Sequence, residues 1–217
     1  SGDGAFIINE GNFRWGNGSL SFYSYDSARL YNSVFESVNN RPLGDVPFSL
    51  AESERWLFII VNNSGKIEVA NIKTLKTTAT IDSLISPRFM CMLSSDKAYV
   101  TSLYSDSLAI LNTATAKITG FINIGCTSES IVKAGDKVYV ANWAGGNRLI
   151  ILDPSNDHVS GSIEVGSEPE SMVIDRNNRL WVLCSGGWSG ESMAELLKIN
   201  TETDQVETRL VFPDKTH

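Results

Sequence analysis

The chain has 217 residues, 42% apolar and 20% charged, the balance of an ordinary globular domain. A net charge of −7 argues against nucleic acid and anionic membrane surfaces as partners. No apolar run approaches the ~20 residues of a helical membrane span, and three widely spaced cysteines without a C-x-x-C predict free thiols.

The chain enters its first strand directly after Ser1-Gly2-Asp3-Gly4, with no secretory leader in view, which is the expectation for a mature or trimmed product. Ala5–Asn9, Leu20–Tyr25 and Leu30–Val38 read as the second, third and fourth strands of a first unit over 4–40, whose innermost strand is missing. Further units follow over 48–82, 89–124, 130–165 and 171–212. Each is a set of short apolar or alternating runs bounded by Gly, Pro, Asn and Asp. No stretch carries 3.6-residue periodicity long enough to predict a helix.

The units repeat. Asp26, Asn71, Asn112, Asp153 and Asn200 each close a third strand and open a turn, at spacings of 45, 41, 41 and 47 residues. Pro47, Pro87, Ser128 and Pro169 precede successive units at spacings of 40, 41 and 41. Two independent landmarks on one period near 41, with several short strands per unit, predict an all-β propeller of four-stranded blades with about five blades visible. Residues 1–217 then form one propeller domain. An unclosed ring leaves sheet edges exposed, so the chain is expected to be part of a longer propeller; a five-blade ring closed by irregular ends is the alternative.

Lys97-Ala98-Tyr99-Val100-Thr101, Lys137-Val138-Tyr139-Val140-Ala141 and Arg179-Leu180-Trp181-Val182 resemble the YVTN strand of YncE-like bacterial surface propellers. Asn112-Thr113-Ala114-Thr115 and Asn200-Thr201-Glu202-Thr203 resemble that family's D-T-x-T turn, and Val165-Gly166-Ser167-Glu168-Pro169 its V-G-x-x-P link. The resemblance covers nearly the whole chain and implies a ring of seven blades. It specifies the fold and leaves the function open.

Binding faces of propellers are built from the loops between second and third strands and from the links between blades. Trp15, Tyr104, Trp143 and Trp188 occupy equivalent loops of four units, beside Asn62 and Asn142 in Gly- and Asn-rich settings. Either each ring folds back as a lid on its own blade, or together they form an aromatic rim for a flat or amphipathic ligand, with the asparagines as hydrogen-bond partners. Just after the Pro anchor stand Phe48, Arg88, Glu129 and Glu170, expected at the channel mouth as a hydrated charged ring, as polar ligand contacts, or as ligands of a hard cation. Trp15, Asn62, Arg88, Tyr104, Glu129, Asn142, Trp143, Glu170 and Trp188 are therefore the candidate ligand-binding residues. No dedicated metal motif and no cofactor motif is present, and His158 and His217 offer no base for a nucleophilic triad.

Phe6-Ile7-Ile8-Asn9-Glu10-Gly11-Asn12, Arg41-Pro42-Leu43-Gly44-Asp45-Val46 and Val61-Asn62-Asn63-Ser64-Gly65 are similar to surface lipoprotein propellers of Gram-negative gut anaerobes. Some of these accompany TonB-dependent outer-membrane transporters and bind cobalamin. The resemblance implies a non-enzymatic, cell-surface or periplasmic ligand-binding protein, with cobalamin as a small-molecule ligand and a transporter as partner. The alternatives are a calcium-dependent lactonase-type propeller hydrolase using Glu129 or Glu170, and a scaffold that binds only protein.

Overall fold

A computed structural model describes residues 3–190 and 192–213. The first sheet holds β1 (Gly4–Asn9), β2 (Ser19–Ser24) and the short β3 (Arg29–Tyr31), followed by a helix, α1 (Val34–Asn39). The second sheet is β4 (Pro47–Glu52), β5 (Trp56–Val61), β6 (Lys66–Asn71) and β7 (Thr77–Ile81). The third is β8 (Pro87–Met92), β9 (Lys97–Ser102), β10 (Ser107–Asn112) and β11 (Lys117–Asn123). The fourth is β12 (Ile131–Ala134), β13 (Lys137–Asn142), β14 (Arg148–Asp153) and β15 (His158–Glu164). The fifth is β16 (Pro169–Ile174), β17 (Arg179–Cys184), β18 (Glu195–Asn200) and β19 (Gln205–Val211). In every sheet, strands adjacent in sequence are hydrogen-bonded neighbours. This is the up-and-down blade of a β-propeller. As expected, the first blade has three strands among the described residues and the others four.

Burial explains why these segments are strands. β5 is a continuous apolar run and β13 is apolar between Lys137 and Asn142, and both are buried on both faces after their first residue, as strands covered on both sides require. Outer strands such as β7 (TTATI) and β11 (KITGFIN) alternate and show polar residues to solvent. The repeating Asn or Asp acts through its side chain. Asn71 Oδ1 accepts from the N–H groups of Lys73 and Thr74, Asn112 Oδ1 from Thr115, Asp153 Oδ1 from Ser155 and Asn200 Oδ1 from Glu202. These are Asx turns. Four residues beyond these four anchors, Leu75, Ala116, Asp157 and Asp204 take φ of 57°, 52°, 62° and 57°. In the first blade the expected anchor Asp26 is corrected to Ser24, which ends β2, accepts at Oγ from Ser27 N–H at 3.3 Å and stands four residues before Ala28 at φ 51°. The left-handed residue lets the chain reverse into the outer strand, and the β-bulges between Val69/Ala70, Ile151/Leu152 and Lys198/Ile199 sit just before the same turns.

One expected strand is corrected. The segment read as a strand over 30–38 leaves β3 at Tyr31, and Ser33 at φ 51° ends extended geometry. An extended continuation would place Val34 and Phe35 on opposite faces. The helix instead lays both on the core, with Phe35 fully buried beside Leu20, Leu43, Leu57, Ile59 and Val61.

The chain divides into two compact units: residues up to 100 with 110–119, and 101–109 with residues from 120 onward. In the first, the Phe35 cluster is flanked by a buried charge. Glu68 is 0% exposed and accepts from Arg41 Nη1 and Nη2 at 2.8 and 2.7 Å, from Lys66 Nζ at 2.6 Å and from Thr80 Oγ1 at 3.1 Å. Burial pushes its pKa up, but the two cations and their hydrogen bonds outweigh that and hold it below the usual carboxylate value. In the second unit, the core joins the fourth and fifth blades through Tyr139, Leu149, Ile151, Leu180, Val182 and Leu197. The Tyr139 hydroxyl donates to Asp204 Oδ1 at 2.6 Å, and Lys137 Nζ to Asp204 Oδ2 at 2.6 Å. Burial first, and the carboxylate second, raise the Tyr139 pKa well above the ordinary phenol value.

Candidate ligand-binding site

The loops that carry the predicted site are held by backbone hydrogen bonds between a blade's second-to-third-strand loop and the link that leaves the blade. In the second unit, Val165 N–H donates to the Asn147 carbonyl at 2.8 Å and Glu168 N–H to the Gly146 carbonyl at 2.7 Å. The link is tied forward as well, since Ser185 N–H donates to the Glu168 carbonyl at 3.1 Å and Gly186 N–H to the Ser167 carbonyl at 3.1 Å. Gly146 is demanded by packing: a Cβ there would lie 2.2 Å from both the carbonyl oxygen and Oδ1 of Asn142. In the next loop, Gly186 and Gly187 take φ of 92° and 93°, and a Cβ on Gly186 would meet the Ser192 carbonyl at 2.5 Å. Close backbone packing in one tryptophan loop and a left-handed backbone in the other thus each require glycine.

Two of these loops and the link between them enclose a cleft of about 640 Å³. Trp143 comes from the β13–β14 loop, Trp188 from the β17–β18 loop, Glu168 and Glu170 from the link and the start of β16, Leu183 from the end of β17 and Ser185 from the residue just after it. Trp188 is 87% exposed, whereas Trp143 is half-buried. Glu168 Oε1 accepts from Gly145 N–H at 3.3 Å, which ties this carboxylate to the Trp143 loop. Glu168 also has φ 52° immediately before Pro169. Val46 and Ser86, each preceding a link proline, share it at 55° and 42°. The conformation therefore belongs to the repeated link and not to the site.

Trp143, Glu170 and Trp188 are the candidate residues that share this cleft. Tyr104, in the same unit, is 76% exposed on its own loop. Glu129 is buried, its backbone N–H donating to the Ala141 carbonyl, and the buried Asn142 donates from Nδ2 to the Thr127 carbonyl at 3.2 Å. In the first unit, Trp15 is 75% exposed on a loop anchored by Arg14 N–H to the Asp45 carboxylate. Asn62 Nδ2 donates to Ser86 Oγ and the Pro87 carbonyl at 2.9 and 3.0 Å. The Arg88 guanidinium lies 3.4 Å from the centre of the Phe48 ring. Trp15, Tyr104 and Trp188 stand in solvent instead of lying as lids on the core, and both asparagine amides staple a strand end to an inter-blade link. His217 lies outside the described residues. Among the described residues, no three His, Cys, Asp or Glu side chains are grouped as metal ligands, and no helix is long and apolar enough to cross a membrane.

Sequence reasoning passed over Glu168, Leu183 and Ser185. Glu168 was within reach, since it stands in the Val165-Gly166-Ser167-Glu168-Pro169 link; Leu183 reads as an ordinary strand residue. The buried Glu68 was passed over too, although a charge between Ile67 and Val69 in an inner strand is its visible sign.

The family model described as a domain of unknown function, DUF5074, matches residues 3–216. The chain belongs to the DUF5074 family. No curated protein matches it. Among solved structures, the DUF5074 chain is similar to hydrazine synthase of Kuenenia stuttgartiensis at 19% identity and a TM-score of 0.71, over 76% of this chain and 49% of that one. It is similar to virginiamycin B lyase from Staphylococcus aureus at 13% and 0.71, over 92% and 64%. It is also similar to a quinoprotein alcohol dehydrogenase-like protein from Bacteroides thetaiotaomicron at 12% and 0.71, over 96% and 50%. The DUF5074 chain thus spans about half to two thirds of the length of these structures. At such identities the likeness establishes the β-propeller fold and nothing finer.

Proposed function

We propose that this propeller is a non-enzymatic ligand-binding protein of the bacterial cell surface that captures an organic nutrient at the Trp143–Trp188 cleft for an outer-membrane transporter. The observation that carries the reading is the 87% exposure of Trp188 on a glycine-built loop, beside a second tryptophan and two carboxylates in one cleft. A large exposed aromatic surface in a concave setting is characteristic of a binding site. Cobalamin is the nutrient implied by the resemblance of the N-terminal segments to transporter-associated propellers. A corrin would lie against the indoles, with its peripheral amides donating to Glu168 and Glu170. Calorimetric titration with cyanocobalamin tests this. Binding that is lost in Trp188→Ala supports cobalamin capture, and absence of binding removes cobalamin as the ligand.

A further inference from the structure

The chemistry of the cleft points to a ligand class, an inference that rests on the reading of this cleft as a binding site and departs from cobalamin, which carries no ammonium group. We infer that the ligand presents a cationic group, an ammonium or quaternary ammonium, to Trp143, Trp188, Glu168 and Glu170. Among the described residues, the lining holds two indoles and two carboxylates and no Lys or Arg. Arg209, on the neighbouring outer strand, is engaged by Glu195. Side-chain donors in the lining are confined to the two indole N–H groups and the Ser185 hydroxyl, while ionised carboxylates only accept. An anionic ligand would meet like charge and few donors. A cation would find two indoles and two carboxylates lining one cleft, where each partly exposed ring contributes about 0.5–1 kcal/mol.

The test compares choline with its uncharged isostere 3,3-dimethylbutan-1-ol, titrated into the protein by NMR and calorimetry. Choline is expected to bind about two- to thirtyfold tighter than the isostere, as one or two cation–π contacts predict. Glu170→Gln, which removes the charge and keeps the shape, should weaken choline and leave the isostere unchanged. An unchanged NMR spectrum outside the cleft shows that the variant is folded. Equal affinity for choline and isostere, or choline binding indifferent to Glu170→Gln, overturns the cationic ligand. If cyanocobalamin binds in a Trp188-dependent manner and choline does not compete, the cleft stands and the ligand class falls. If neither ligand shows Trp188-dependent binding, the reading of the cleft as a site falls with it.

Discussion

Replacing Arg41 by Met should show how strongly a buried charge can be held in a blade. Glu68 is fully buried, and Arg41 supplies two of its hydrogen bonds, at 2.8 and 2.7 Å. Removing one partner of a buried ion pair costs about 3–5 kcal/mol when the other charge is left alone. Here Lys66 remains at 2.6 Å and Thr80 at 3.1 Å, and Arg41 is itself 38% exposed at its side chain. The expected loss is therefore smaller, about 2–3 kcal/mol, or a fall of about 5–10 °C in Tm for a chain of this size. The folded-state pKa of Glu68 is depressed. Its contribution is therefore complete above the unfolded value near ~4.3 and is lost as pH falls through the lower folded value. Urea denaturation at neutral pH should show the full difference between wild type and Arg41→Met, and the gap should narrow below about pH 4. A loss under about 1 kcal/mol at neutral pH, or a gap that widens in acid, would refute the reasoning.

Other sites give independent checks. Tyr139→Phe removes the hydroxyl that donates to Asp204 at 2.6 Å and should destabilise by about 1–2 kcal/mol in denaturant titration. Because burial and Asp204 raise the Tyr139 pKa, the phenolate absorbance of the folded wild type and of Tyr139→Phe should coincide at about pH 11. Ala116→Gly relieves a left-handed residue at φ 52° and should stabilise by about 0.5–1 kcal/mol, read as a higher Tm. Gly146→Ala forces a Cβ to within 2.2 Å of Asn142, so it should cost about 1–3 kcal/mol and disorder the Trp143 loop, visible as a change in tryptophan fluorescence.

The fold was legible because it is written several times. Asn71, Asn112, Asp153 and Asn200 recur on one period and make one Asx turn, and runs such as WLFIIV and the VYVA of KVYVAN are apolar throughout because both faces are covered. The α1 segment was not legible, because its six residues are too few to show helical period, and only the tertiary placement of Phe35 decides it. The cleft was legible in part. Trp143 and Trp188 stood out as large aromatics in glycine-rich loops. Side-chain direction was not: Asn142 lies one residue before Trp143, yet its amide turns inward to Thr127. Glu129 and Glu170 hold equivalent places in the repeat, yet one is buried and the other exposed. Alternation along a strand, and the packing of each link, decide such differences below the resolution of a repeat pattern.

The most direct test of the account is calorimetric titration of cyanocobalamin and choline into wild type, into the Trp143→Ala/Trp188→Ala double variant, and into Tyr25→Ala. Tyr25 is an aromatic of 60% exposure in the first blade, outside the cleft. The account predicts that at least one ligand binds wild type and Tyr25→Ala equally and fails to bind the double variant. Binding that survives loss of both tryptophans would contradict it.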